Sequence, residues 1–186
     1  QGHRVILLER AAQLGGQLNW ADYDDYKKEL KAYREYLIRQ IAKSSVEVRL
    51  ETEATPEMIA SFAPDDLILG LGAEFITPRI PGVEYARQAV TLYPELDSAQ
   101  GRFVIIGGGT IGTELALELA ERGKAVTLIE MSDTLSAKGN KLYRIALHQH
   151  LRRCSTLTCL LQSQVLEIKP DGVEVRTPQG IQQIPA

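Results

Sequence analysis

This sequence of 186 residues has few cysteines, only a small excess of negative over positive charge, and no long apolar run. Its two cysteines, Cys154 and Cys159, are too few for a disulfide framework and lack the C-x-x-C spacing of a redox or metal pair. The formal net charge of −3 gives no electrostatic reason to expect nucleic acid or an anionic membrane as a partner. No apolar run approaches the roughly 18 residues that span a bilayer, and no signal peptide is visible, so we expect a cytoplasmic protein.

Side chains for acid–base, nucleophilic or metal chemistry form no convincing group in the sequence. His148 and His150 lie near the end of a predicted helix, and solvated histidines at a helix end account for both of them. We therefore assign no catalytic residue and no metal ligand to this chain.

A glycine-rich turn stands out against this background. The apolar run 103–106 is typical of a parallel strand buried on both faces. Gly107, Gly109 and Gly112 follow at G-x-G-x-x-G spacing, in which the first glycine permits a tight turn, the second lets the backbone approach a pyrophosphate, and the third allows close packing of helix on strand. The helix predicted over 110–122 would direct its free N–H groups at the phosphates.

An acidic residue completes this motif. The apolar run 125–129 predicts a second strand, and Glu130 follows it, 23 positions after Gly107. Roughly 20 residues is the expected distance to the acid that binds the 2′-hydroxyl of an adenosine ribose. Because a carboxylate repels a 2′-phosphate, the sequence favours NAD(H) over NADP(H).

The start of the chain repeats part of this pattern. The stretch QGHRVILLE, ending at Glu9, matches RGKAVTLIE, ending at Glu130, in its glycine and in its apolar strand followed by glutamate. We interpret it as the tail of another dinucleotide unit whose glycine turn lies upstream, so we expect a fragment of a longer chain. Glu9 is then a second ribose-binding acid, or else a solvated carboxylate at a strand end.

Small residues mark two further segments where a backbone could approach a ligand. Gly15-Gly16-Gln17 follows soon after Glu9, although a plain surface loop has a similar composition. Gly70-Leu71-Gly72-Ala73 follows an apolar run that predicts a buried strand.

The other predicted elements are helices over 23–44 and 55–62, strands over 46–50 and 67–69, a proline-rich connector over 78–82, a helical turn over 93–98, a helix over 139–153, a strand over 156–161 and an antiparallel meander over 166–168, 173–175 and 181–184.

These elements predict an α/β fold of two Rossmann-like, three-layer dinucleotide-binding units of the glutathione reductase type. The first unit, residues 1–98, would be a truncated FAD- or ADP-binding unit. The second, residues 99–186, would bind NAD(H), carry the meander and be truncated at its C-terminus.

Four stretches together resemble one known family: 2–18, 46–55, 67–82 and 104–130. It is the nucleotide-binding half of the NADH:flavin oxidoreductases with an Old Yellow Enzyme-type barrel, which include 2-enoate reductase, 2,4-dienoyl-CoA reductase and trimethylamine dehydrogenase. One departure is Leu71, since this family usually has Ala-Thr-Gly where this chain has Gly70-Leu71-Gly72, so a hydroxyl contact is absent there.

The resemblance implies a role for each matching residue. Glu9 would bind the adenosine ribose of FAD, or of ADP in members without this flavin, with Gly15, Gly16 and Gln17 along the nucleotide and Ala54 near its adenine. For the second nucleotide, it implies that the three glycines of the 107–112 turn hold the NAD(H) pyrophosphate, that Glu130 binds the ribose, and that Glu114 lies near the nicotinamide.

The resemblance also implies an activity. Family members pass hydride from NAD(P)H to FAD and then electrons through an iron–sulfur cluster to FMN in the barrel, where an activated alkene such as a 2-enoate or dienoyl-CoA is reduced. The chain would be the electron-input module, with the rest of its own polypeptide as partner and an oligomer possible. FMN and the cluster would belong to the part outside this sequence.

Two alternatives remain open. One is a pyridine nucleotide-disulfide reductase, although Cys154 and Cys159, which have C-x4-C spacing, follow the second unit's nucleotide motif and do not lie near the first unit. The other is a non-catalytic domain that holds ADP or NAD structurally.

Overall fold

The computed structural model of the chain describes residues 2–21, 23 and 27–186. It separates into two compact units, Gln1–Glu74 and Phe75–Ala186. The sequence predicts a boundary at residue 98, whereas the segment 75–98 packs with the second unit, because Val90, Tyr93 and Leu96 are buried in its core.

The first unit is built on two short parallel strands. Its elements are β1 (Ile6–Leu8), α1 (Leu18–Ala21), α2 (Lys28–Ala42), β2 (Glu47–Arg49) and α3 (Pro56–Phe62). Strands β1 and β2 pair with Ile6 opposite Glu47. Helix α3 begins where the sequence predicts, since Pro56 occupies its first turn and the hydroxyl of Thr55 accepts a hydrogen bond from the Met58 N–H. Part of the predicted helix over 23–44, including Tyr26, lies outside the described residues.

The predicted buried strand at 67–69 is wrong. These residues form no strand in the structure, and Leu67, Ile68 and Leu69 are 55%, 91% and 65% exposed. A parallel strand satisfies its backbone hydrogen bonds only beside another strand. In the described part of this unit, β1 and β2 pair with each other and no third strand joins them.

The second unit contains the predicted strand–turn–helix–strand motif. Its first part comprises two short 3₁₀ helices (Val83–Tyr85 and Ala89–Glu95), β3 (Arg102–Ile106), α4 (Thr110–Glu121), β4 (Ala125–Ile129), α5 (Lys141–Leu151) and β5 (Leu157–Leu160). Strands β3, β4 and β5 form a parallel sheet in that order. An α/β fold of Rossmann type is therefore confirmed.

The predicted meander is confirmed as well. Strands β6 (Gln164–Lys169), β7 (Gly172–Thr177) and β8 (Gly180–Pro185) form an antiparallel sheet, with a register shift between Val165 and Glu167. Its inward side chains pack against Ile129 at the end of β4 in a small second core.

Helix α4 forms the centre of the main core. Leu115, Leu117 and Leu119 are at most 2% exposed, and Ala116 and Ala120 are also buried. The alanines keep one face of α4 thin, so that the helix packs closely on the sheet. The helix that follows the glycine turn is therefore held rigidly.

Candidate nucleotide-binding site

Two glycines of the turn between β3 and α4 are required by the protein itself. Gly107 has φ +101, in the left-handed region that favours glycine, and its N–H donates to the carbonyl of Ile129 at 2.8 Å. A Cβ at Gly112 would lie 2.0 Å from the carbonyl oxygen of Gly107. Any side chain at position 112 would therefore push the helix away from the turn.

Gly109 is different, because nothing in the protein requires a glycine there. Its φ of −64 suits any residue, and a Cβ at this position would meet no atom within 4 Å. Gly109 is the N-cap of α4 and offers no side chain to the first N–H groups of the helix. The surface at this point is open backbone at the positive end of a helix dipole, which is suited to an anion.

The carboxylate of Glu130 contacts this turn directly. It accepts hydrogen bonds from the N–H of Gly108 at 2.6 Å and from the N–H of Ser132 at 2.7 Å. Partial burial raises the pKa of Glu130, but the hydrogen bonds from Ser132 and Gly108 outweigh it and leave the pKa below its ordinary value. The predicted ribose acid and the glycine turn are thus brought together, with the acid ionised and oriented.

A loop that sequence reasoning missed closes over the same turn. We call residues 131–140 the strap. The N–H of Ser136 in the strap donates to the carbonyl of Gly108 at 2.7 Å, and a ring nitrogen of His148, Nε2, lies 3.1 Å from the carbonyl oxygen of Leu135. His148 is half-buried and holds this loop, so its interpretation as a solvated helix-end residue is corrected. No periodicity marks these contacts in the sequence.

Glu114 lies one turn into α4 and is only 4% exposed. The hydroxyl of Tyr143, from the first turn of α5, donates to its Oε1 at 2.7 Å. Sequence reasoning singled out Glu114 but not Tyr143, because the pairing depends on how α5 packs against α4.

The first unit repeats one detail of the Glu130 geometry. Glu9 follows β1 as Glu130 follows β4, and its Oε1 accepts a hydrogen bond from the N–H two residues later, that of Ala11, at 2.8 Å. The carbonyl of Glu9 also accepts from the Thr52 N–H. This bond brings the segment that contains exposed Ala54 to the same end of the β1–β2 sheet.

The two small-residue segments of the first unit also meet. The side-chain amide of Gln17 donates to the carbonyl of Ala73 at 2.7 Å, next to Gly72. Gly15 is required structurally, since it has φ +120 and a Cβ there would lie 2.9 Å from the Asn19 Oδ1. Gly16 and Gly72 have positive φ values of +48 and +71, and a Cβ at either would meet no atom within 4 Å.

The two cysteines take part in none of the contacts described above. Cys154 is half-buried, its Sγ is 3.6 Å from the carbonyl oxygen of His150, and burial together with the charge of Glu121 raises its pKa. Cys159 is exposed on β5.

Over the described residues, no three His, Cys, Asp or Glu side chains are grouped so as to hold a metal ion. No helix in the described ranges is long and apolar enough to cross a membrane.

The chain is similar to larger reductases and oxidases. It is 34% identical over 190 residues to an NADH oxidase of Thermoanaerobacter brockii, and 33% identical over 189 residues to a bilirubin reductase of Mediterraneibacter gnavus (strain CC55_001C). These alignments cover 98% and 100% of this chain but only 29% of each relative. Among solved structures, a 2-naphthoyl-CoA reductase in complex with 2-naphthoyl-CoA superimposes with a TM-score of 0.86 at 27% identity, over 100% of this chain and 28% of that one.

A family model covers nearly the whole chain. Residues 8–186 match the model of the pyridine nucleotide-disulphide oxidoreductases. The match therefore includes Glu9, the turn, Glu130 and the meander. The chain belongs to the pyridine nucleotide-disulphide oxidoreductase family, a family of FAD- and NAD-binding oxidoreductases.

Proposed function

We propose that this chain is an electron-input module, in which NADH binds to the second unit and delivers hydride to FAD bound through the first unit. The observation that carries the proposal is Gly109. A glycine that neither the backbone conformation nor any protein contact requires is explained by a ligand that needs the space of its side chain.

The ligand that fits this space is a pyrophosphate. Around Gly109, the turn presents backbone atoms rather than side chains, and the N-terminus of the 12-residue helix α4 supplies N–H donors and positive potential. Gly107 and Gly112 shape the turn, so that all three glycines contribute to the same contact.

The position of Glu130 favours the adenosine ribose of NADH over the 2′-phosphorylated ribose of NADPH. Each of its oxygens already accepts one backbone N–H, and a carboxylate oxygen has a further lone pair for a ribose hydroxyl. Its charge and position disfavour a 2′-phosphate, so that we infer a preference for NADH over NADPH.

We assign FAD to the first unit because its acid, Glu9, parallels Glu130 of the second unit. Glu9 and Glu130 each follow a parallel strand and each accept from the N–H two residues later. We propose that Glu9 binds the adenosine ribose of FAD, that Gly15, Gly16, Gln17 and Gly72 follow the nucleotide, and that Ala54 lies near the adenine. The exposed apolar residues 67–69 are consistent with a strand that pairs with another part of the full polypeptide.

The flavin supplies the redox chemistry, and the protein supplies binding, orientation and electrostatics. Glu114, buried beyond the glycine turn, is proposed to lie near the nicotinamide. Reduced flavin would pass electrons through an iron–sulfur cluster to FMN in a barrel outside this sequence. The bilirubin and 2-naphthoyl-CoA named for two similar proteins are conjugated molecules. An activated alkene, of the 2-enoate or dienoyl-CoA type, is therefore the acceptor that we propose.

Gly109→Ala tests the proposal in the full natural polypeptide. We expect ADP-ribose, measured by titration calorimetry, to bind at least about tenfold more weakly, since the methyl group occupies the pyrophosphate position. The melting temperature should fall by no more than roughly 2–4 °C, because alanine is a poorer N-cap than glycine but no protein atom lies near that methyl. Gln182→Ala is the control, because Gln182 is exposed on β8 of the same unit and has no role in the proposed site. Unaltered ADP-ribose affinity in Gly109→Ala would refute a nucleotide site at this turn.

Flavin absorbance tests the electron-transfer part separately. The purified full-length protein should contain FAD, and NADH should bleach it without oxygen. A protein that binds ADP-ribose but carries no flavin would instead support a structural nucleotide domain.

A further inference from the structure

The peptide that joins Gly108 to Gly109 is held from one side by two hydrogen bonds. The carbonyl of Gly108 accepts from the N–H of Ser136 in the strap at 2.7 Å and from the hydroxyl of Thr113 on α4 at 3.0 Å. Both donor residues are buried, Thr113 at 0% and Ser136 at 1% exposure. A carbonyl oxygen has two lone pairs, so these two donors satisfy it. The protein therefore fixes the direction of this carbonyl.

The direction of the carbonyl also determines where the next N–H points. The C=O and N–H groups of a planar trans peptide point in opposite directions, and the described residues contain no cis peptide bond. Because the Gly108 carbonyl points inward at the strap and α4, the N–H of Gly109 points outward. Gly108 is buried and Gly109 is exposed. In the described part of the chain, no acceptor pairs with the Gly109 N–H, so this donor is available to an anion.

Two adjacent glycines make this orientation easy to lose. Rotation of the whole peptide plane changes ψ of Gly108 and φ of Gly109, and glycine tolerates the resulting angles because it has no Cβ. The rotation would turn the Gly109 N–H inward and direct the carbonyl oxygen, with its partial negative charge, at the anion. The turn that gives a ligand room therefore also needs contacts that hold this peptide.

The two donors have features that side-chain packing does not explain. A threonine within a helix usually bonds the carbonyl three or four residues earlier, whereas Thr113 bonds the carbonyl five residues earlier, ahead of the first residue of α4. Ser136 has φ +51, in the left-handed region, and its buried Oγ has no partner among the described residues. Both features cost free energy. The strap keeps this conformation at Ser136 while the Ser136 N–H holds Gly108.

We propose that Thr113 is a positioning residue that, together with the Ser136 N–H, holds the Gly108–Gly109 peptide with its N–H directed at the pyrophosphate. This inference rests on the proposed function, in which the pyrophosphate lies at Gly109. Thr113 does not touch the ligand and acts through the carbonyl of Gly108. The N–H of Gly108 is bound by the Glu130 carboxylate, so both polar groups of this glycine are held by the protein.

The test is Thr113→Val in the full natural polypeptide, which keeps the shape of the side chain and removes the hydroxyl. We expect the ADP-ribose dissociation constant, measured by titration calorimetry, to rise about threefold to tenfold, because one of the two bonds that hold the peptide is lost. Thr113→Ser keeps the hydroxyl and should bind ADP-ribose within about twofold of wild type. ADP-ribose binding by Thr113→Ser as weak as that by Thr113→Val would overturn the proposal.

Thr156→Val is the matched control. The hydroxyl of Thr156 donates to the carbonyl of Ala120 at 3.1 Å, near the other end of α4. The substitution therefore removes the same kind of bond from the same helix, away from the glycine turn. We expect unaltered ADP-ribose affinity in Thr156→Val, and a loss equal to that in Thr113→Val would count against a specific role of Thr113.

Adenosine separates positioning of the peptide from a general loss of structure, because it has the ribose but no phosphate. Thr113→Val should leave the adenosine dissociation constant, measured by NMR titration, unaltered, since adenosine does not reach the Gly109 N–H. Equal weakening of adenosine and ADP-ribose would overturn the proposal, because Thr113 would then support the whole site. Unaltered binding of ADP-ribose by Thr113→Val would overturn it as well.

Gly109→Ala separates this inference from the function on which it rests. If Gly109→Ala weakens ADP-ribose binding and Thr113→Val does not, the positioning role fails while the pyrophosphate site stands. If Gly109→Ala leaves ADP-ribose binding unaltered, both fail.

Discussion

The strand that leads to Glu130 and the strand that leads to Glu9 have similar sequences but very different surroundings. In β4, Val126, Leu128 and Ile129 are at most 3% exposed, because β3 and β5 flank this strand on both sides. In β1, all three residues are only half-buried, and β2 is the neighbour that the structure describes. Local sequence therefore determines where a strand forms and which acid ends it, whereas the burial of the strand depends on how many strands lie beside it.

The same contrast extends to the two units as wholes. Every residue of the main core belongs to the second unit, and no described residue of the first unit is buried. The glycine turn, Glu130 and the strap are therefore supported by packed side chains. Glu9 and Gln17 are held chiefly by backbone hydrogen bonds near the surface.

Truncating equivalent leucines should give the largest difference between the units. Leu128→Ala removes a side chain that is 0% exposed, and we expect it to lower the free energy of unfolding by about 2–5 kcal/mol. Leu7 occupies the matching position of the repeated stretch and is half-buried. Leu7→Ala should cost less than about 1.5 kcal/mol. Urea denaturation of the full protein measures both, and equal losses would contradict the contrast in burial.

Replacing equivalent acids should give an intermediate effect. Glu130→Ala should weaken binding of NAD⁺ about tenfold and reduce its preference over NADP⁺, because a charged acceptor for the ribose is lost. Glu9→Ala should leave both dissociation constants unaltered, since this acid is assigned to the other nucleotide. Titration calorimetry of the two coenzymes measures the effect. Equal affinity of the unmutated protein for NAD⁺ and NADP⁺ would contradict the role of Glu130.

The smallest expected effect is a dependence of stability on pH that arises from Glu130. Because the pKa of Glu130 is lower in the folded state, its ionised form stabilises the fold above the ordinary glutamate pKa, and this contribution is lost as pH falls through the lowered value. The difference in melting temperature between wild type and Glu130→Gln should therefore shrink on acidification from about pH 7 to about pH 4. A difference that stays constant over this range would contradict ionisation of Glu130 as its source.

The parts of the fold that sequence predicts well are those that depend on near neighbours along the chain. The 102–130 motif, Thr55 as a helix cap and the meander all follow from spacing and from residue type. The strand predicted at 67–69 fails, because its burial requires another strand rather than another residue pattern. The segment 75–98 carries Tyr93 into the second core for a similar reason, since packing partners far along the chain decide where it lies.

The residues of the candidate site also fall into two groups, those that spacing along the chain predicts and those that depend on packing between elements. Gly107, Gly109, Gly112 and Glu130 were found by spacing and are brought together in the structure. Tyr143 and His148 were missed as contributors because they act across packed elements, through the orientation of α5.

The double role proposed for Glu130 would limit how coenzyme preference could evolve in this protein. Its carboxylate accepts hydrogen bonds from the backbone N–H groups of Gly108 and Ser132, and the same carboxylate is proposed to bind the ribose. A substitution that admits a 2′-phosphate would also leave those donors exposed to solvent or unpaired. A lineage that turned to NADPH would thus need a second, compensating change in the turn or the strap, and conversion by a single substitution at this position is disfavoured.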